Sequence, residues 1–186
     1  HGVPADKAGA KAALVVLAGA VGCVVWGAVV DRAGRRSPAA KLRTVAVLCL
    51  VTLAVLAFAF GAPRLGLALT PAAQFALIVI GGFVMTCTVG PAAATVIDVV
   101  HPGVRSTGAS VMSLCQNLFG LAAGPFIAGA LSDALGLENA LAIVPAFGLL
   151  AAAAWWTAAR SYAEDMTRAS EPPATPAAMA PRAAMA

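Results

Sequence analysis

Five apolar runs follow one another along this chain: Ala12 to Val30, Thr44 to Ala62, Pro71 to Ile97, Ser106 to Leu131 and Leu137 to Ala159. A hydrocarbon core of about 30 Å takes roughly 20 helical residues to cross, at about 1.5 Å each, and every run is near or beyond that length. In lipid the backbone must satisfy its own polar groups, which leaves helices and closed barrels, and these runs lack the alternation of barrel strands. The pattern predicts an all-α polytopic membrane protein with a transmembrane bundle over residues 12–160. Residues 1–11 are expected to form an external loop, and residues 161–186, rich in Pro, Ala and charge, a disordered tail.

Composition agrees, with 61% apolar and 11% charged residues against about 45–50% and about 25% in soluble domains. The net charge of +4 does not imply nucleic acid, because the basic residues sit at the ends of apolar runs instead of among surface aromatics. They orient the bundle. Arg32, Arg35, Arg36, Lys41, Arg43, Arg105, Arg160, Arg168 and Arg182 fall on one side, and Lys7, Lys11 and Arg64 on the other, which makes the first side cytoplasmic. The opening segment then lies outside and the C-terminus inside. With no initiator Met and no basic signal sequence, the expectation is a fragment of a longer chain whose upstream part carried it across.

Cys23, Cys49, Cys87 and Cys115 each lie in a different run, without a C-x-x-C pair, and are expected as buried thiols; His101 is expected as a solvated loop residue. Neither a metal site nor a cofactor is implied. The spans present no His, Cys and carboxylate constellation for catalysis, which argues against an enzyme. They also carry no ionisable residue near a midpoint, so an ion-coupling group is not expected here.

The first loop, "GAVVDRAGRR", fits G-x-x-x-D-R-x-G-R-R with Gly27, Asp31, Arg32, Gly34, Arg35 and Arg36 in place. Gly34 would permit a positive-φ turn, Gly27 would let a helix approach, and Asp31 would accept from the amides of a helix N-terminus. The alternative is a plain positive-inside anchor. The later loop "DVVHPGVRST" sets Asp98, Pro102 and Arg105 in a D-x-x-x-P-x-x-R arrangement. Together the two loops resemble the cytoplasmic signature of the major facilitator superfamily. The resemblance implies helices eight to twelve of a twelve-helix transporter, with a loose likeness to the spinster-like or organic-acid branches. It also implies a cytoplasmic gate of Asp31, Arg32, Arg35, Arg105 and Asp98.

The fourth run, "STGASVMSLCQNLFGLAAGPFIAGALSD", aligns Ser106, Ser110, Ser113, Gln116, Asn117, Gly120 and Gly124 at helical spacing. Asn117 would lie about 16 Å from the start of the run, near the midplane. Two uses compete: lining a substrate cavity, or packing against another helix. The cavity reading takes Gln116, Asn117 and Ser113, with Thr88 and Met85 from the third run. Gly124 and Pro125 mark a hinge or a static kink. By the resemblance, the chain is part of a secondary active transporter that moves a small organic solute by alternating access in a bacterial inner (cell) membrane. Its partners would be membrane lipid, the small-molecule substrate and the missing N-terminal half. The alternative is a small membrane scaffold or subunit whose helices serve packing and partner binding only.

Overall fold

A computed structural model describes residues 5–62, 66–67 and 69–171. Its α-helices are α1 Ala5–Gly34, α2 Pro38–Gly61, α3 Pro71–Met85, α4 Val89–Val99, α5 Arg105–Cys115, α6 Ala123–Leu135, α7 Leu137–Ile143 and α8 Phe147–Ser170. Short 3₁₀ turns at Thr86–Thr88 and Val144–Ala146 join α3 to α4 and α7 to α8, and a π-helical stretch at Gln116–Ala122 joins α5 to α6. No strand occurs among the described residues. Five stretches are long and apolar enough to cross a membrane: Ala8–Gly34, Pro38–Gly61, Pro71–Val99, Pro102–Leu135 and Asn139–Ser170. The fold is the all-α membrane bundle that the apolar runs predict.

The helices outlast the runs that announce them. α1 starts at Ala5, inside the expected external loop, and α8 continues to Ser170, inside the expected tail. Hydropathy marks only what lipid touches, whereas backbone hydrogen bonding continues wherever Ala, Glu, Met, Lys and Arg favour it. Residues 1–4 and 172–186 of those two segments lie outside the described residues.

Local chemistry sets the starts. Pro38 and Pro71 occupy first-turn positions where no donor is missed, and the hydroxyls of Ser37 and Thr70 accept from the N–H groups of Ala40 and Ala73 at 3.1 and 3.2 Å. Only residues 35–37 separate α1 from α2, so the two must run antiparallel.

The centre of the bundle is α2, which packs most extensively on α8 and also touches α1 and α3. One apolar cluster joins Val30, Val45, Leu48, Cys49, Cys87 and Ala152; a second joins Leu42, Ala159 and Tyr162. The crossing of α1 over α3 depends on glycine. A Cβ on Gly22 would collide with the Phe83 carbonyl, and one on Gly82 would meet Val15 Cγ1 at 2.7 Å. Close backbone approach is how lipid-embedded helices gain contact, since lipid is as apolar as leucine. Trp26 reinforces the crossing by donating from Nε1 to the Phe83 carbonyl at 3.0 Å.

The fourth span is different. None of residues 102–135 is buried, and its substantial contacts are with α4 at one end and α7 at the other.

Candidate functional site

The α1–α2 loop, the α4–α5 connection and the end of α8 meet at one end of the bundle, which carries Arg32, Arg35, Arg36, Lys41, Arg43, Arg105 and Arg160. Lys41 Nζ donates to Asp98 Oδ2 at 2.6 Å and to the Tyr162 hydroxyl at 3.3 Å, and Tyr162 donates to the same Asp98 oxygen at 2.5 Å. Three spans are tied in one charged cluster. Its side chains are only partly open to solvent, 13% for Lys41 and 30% for Asp98, and the ammonium also lies 5.8 Å from the Tyr162 ring centre. Partial burial removes competing water, so both charges need the partners they have.

The short loop delivers Lys41 to this place. It brings the first turn of α2 back beneath the end of α1, and a Cβ on Gly34 would meet the Lys41 stem at 3.4 Å. Gly34 therefore seats an alkyl chain, and its φ is not positive, which corrects the expected turn role. Gly27 also departs from expectation, because nothing lies within 4 Å of where its Cβ would be.

Asp31, Arg35, Lys41, Asp98 and Tyr162 line one cavity of about 240 Å³ at this end. The loop motif and the later acid are thus brought together. The ion pair, however, is Asp98 with Lys41. Asp31, Arg32, Arg35 and Arg105 are exposed and form no ion pair among the described residues. Arg105 acts on Asp98 only through space. Sequence reasoning missed Lys41 and Tyr162. Two signals were available: a cation in a helix's first turn is unfavourable without a partner, and the chain's one tyrosine continues the Trp155, Ala159 spacing at the point where hydropathy falls away.

The cavity residues do not gather. Met85 and Thr88 line a pocket of about 220 Å³ with Thr52, Leu56, Val144 and Gly148, while Ser113, Gln116 and Asn117 stand exposed on the fourth span. Asn117 turns its amide back on its own helix, donating to the Ser113 carbonyl at 2.8 Å. Gly120 and Gly124 have nothing within 4 Å of a built Cβ, so no close helix packing uses them within the described residues.

Gln116 and Asn117 open the π-helical stretch. Pro125 explains it, since the ring has no N–H for the Leu121 carbonyl and clashes with the preceding turn; the wider π turn gives that carbonyl room. At its end the Ala123 N–H is shared between the Gly120 carbonyl and the Leu118 carbonyl, the latter five residues back. One extra residue per turn rotates the remainder of the helix by about 100°, so Gly124 no longer continues the Ser106 to Asn117 face.

Cys49 and Cys87 are buried together in the core, Cys23 is partly buried and Cys115 is exposed. Among the described residues no group of three His, Cys, Asp or Glu converges as a metal site requires. His101, expected in a solvated loop, is exposed there and accepts from the Gly103 N–H through Nδ1.

Compared with known proteins, the chain matches the family model of the Major Facilitator Superfamily over residues 1–184. No curated protein and no solved structure matches it.

Proposed function

The chain belongs to the Major Facilitator Superfamily, a family of membrane transporters, and from that premise we propose that it serves secondary active transport of a small organic solute by alternating access. The basic end faces the cytoplasm and works as the gate, with Asp31, Arg32, Arg35, Arg105 and Asp98 completed by Lys41 and Tyr162. Ser113, Gln116 and Asn117 form one polar wall of the substrate path, and Met85 and Thr88 on the third span line a separate pocket. Gly124, Pro125 and the π stretch before them supply the bend, and a second helical half closes the path.

The observation that carries the gate is the Lys41, Asp98 and Tyr162 cluster, sharing its cavity with Asp31 and Arg35. Lys41 has two carboxylates around the same space. Asp31 lines the same cavity and is the carboxylate open to an ammonium that leaves Asp98, so the cluster would break without stranding a bare cation. The bareness of the fourth span supports the wall: amides and hydroxyls at midplane depth need water or a polar partner, and within the described residues they have chiefly their own helix.

Cysteine labelling tests both parts. In a background without the native cysteines, Gln116→Cys and Asn117→Cys should react with a membrane-impermeant maleimide. Asp98→Asn should raise the reaction from the basic side. Inertness of both positions from either side would reject the wall, and labelling indifferent to Asp98→Asn would reject the gate.

A further inference from the structure

We propose that the outer groove between α2 and α8 is a binding site for one anionic membrane phospholipid, its phosphate held by Arg43 and Arg160 and one acyl chain lying between the helices. The groove is about 240 Å³. Ala46, Val47 and Leu50 line it from α2, and Leu149, Ala153 and Trp156 from α8. Each set lies on one helical stripe, and each stripe ends in a cation at the basic end: 43, 46, 47, 50 on one helix and 149, 153, 156, 160 on the other.

The charge at that end is free to take an anion. The Arg43 guanidinium lies 5.8 Å from the Trp156 ring centre, a stacking that orients it at the mouth without neutralising it. Arg160, one turn beyond Trp156, is exposed and forms no ion pair among the described residues. The nearest acids on α8, Glu164 and Asp165, are both met by Arg168 at 3.7 Å. Lys41, on the other side of α2, is committed to Asp98.

Length and polarity fit a lipid better than a protein segment. From Arg160 to Leu149 the stripe runs about 16 Å at about 1.5 Å per residue, close to half of a hydrocarbon core of about 30 Å. The floor is small and buried, made by Ala46 and Ala152, while Val47, Leu50, Leu149 and Ala153 form its exposed walls. Trp156, 47% exposed, sits where an indole meets headgroups. A cationic mouth over an apolar slot one leaflet deep is complementary to an anionic headgroup and its chain.

Fluorescence quenching by brominated lipids tests this. In a Trp26→Phe, Trp155→Phe chain, Trp156 is the remaining reporter. In phosphatidylcholine vesicles, brominated phosphatidylglycerol should quench it with roughly thirtyfold higher relative affinity than brominated phosphatidylcholine, as two arginines near an anionic headgroup imply. R43Q with R160Q should bring the ratio to about one. Ala153→Leu, which fills the slot and keeps both arginines, should also abolish the preference. Equal quenching by the two lipids, or a preference that survives either set of substitutions, overturns the site. Should circular dichroism show the two-Phe chain unfolded, native mass spectrometry of the unsubstituted chain from the same vesicles decides: retained phosphatidylglycerol lost in R43Q/R160Q supports the site, and equal retention refutes it.

Discussion

At Gly22, one hydrogen in place of a methyl group lets α1 reach the Phe83 carbonyl. Gly22→Ala should therefore cost about 1–3 kcal/mol, because the clash is with backbone and cannot be relieved by a rotamer change. Gly27→Ala, five residues on and facing open space, should be neutral or stabilising by up to about 1 kcal/mol from helix propensity. Denaturation in detergent compares the two, and equal effects would contradict the crossing. A second test at this scale concerns Asp98. Asp98→Asn leaves Lys41, 13% exposed, without its counter-charge, and should destabilise by about 1–3 kcal/mol. Tyr162→Phe removes only a hydroxyl and should cost about 1 kcal/mol. A double-mutant cycle should show the two effects to be non-additive, since both act on the same carboxylate oxygen.

At the scale of elements, the most informative is the imperfect rod formed by α5, the π stretch and α6. Pro125 denies Leu121 a donor, so the helix widens before it instead of breaking. Pro125→Ala restores the N–H and should convert Gln116–Ala122 to α-helix. Amide exchange over residues 117–126 in detergent should then slow roughly fivefold, the factor from one restored hydrogen bond of about 1 kcal/mol. Unchanged exchange would show that the π stretch has another cause. The same rod shows why periodicity misled here: a stripe drawn at 3.6 residues per turn assumes one helix type throughout, and a π turn inside it moves Gly124 off the face of Asn117.

For the whole molecule, the distribution of Lys and Arg predicts one orientation for every span at once. His101→Cys, in the exposed loop at the basic end, should be labelled by an impermeant maleimide only in inverted vesicles, and Leu67→Cys, 49% exposed at the opposite end, only in intact cells. The reverse pattern would overturn the orientation, and with it the placing of the gate. The bundle's packing is as uneven as its charge: four spans are held together through α2, whereas none of the fourth is buried among the described residues.

What the sequence determined by itself was the number and kind of spans, because a bilayer allows a long apolar run few conformations. It also determined the loop that sets Asp31 beside the first basic residues, because that motif is contiguous. The tertiary structure decided who pairs with whom. Asp98 meets Lys41 and Tyr162, 57 and 64 residues away, and Gly34 seats a lysine stem instead of making a turn. It also decided that Met85 and Thr88 part company with Ser113, Gln116 and Asn117. Local spacing encodes which side of a helix a residue occupies, but which helix lies against that side depends on packing between distant segments, and no short stretch of chain contains that information.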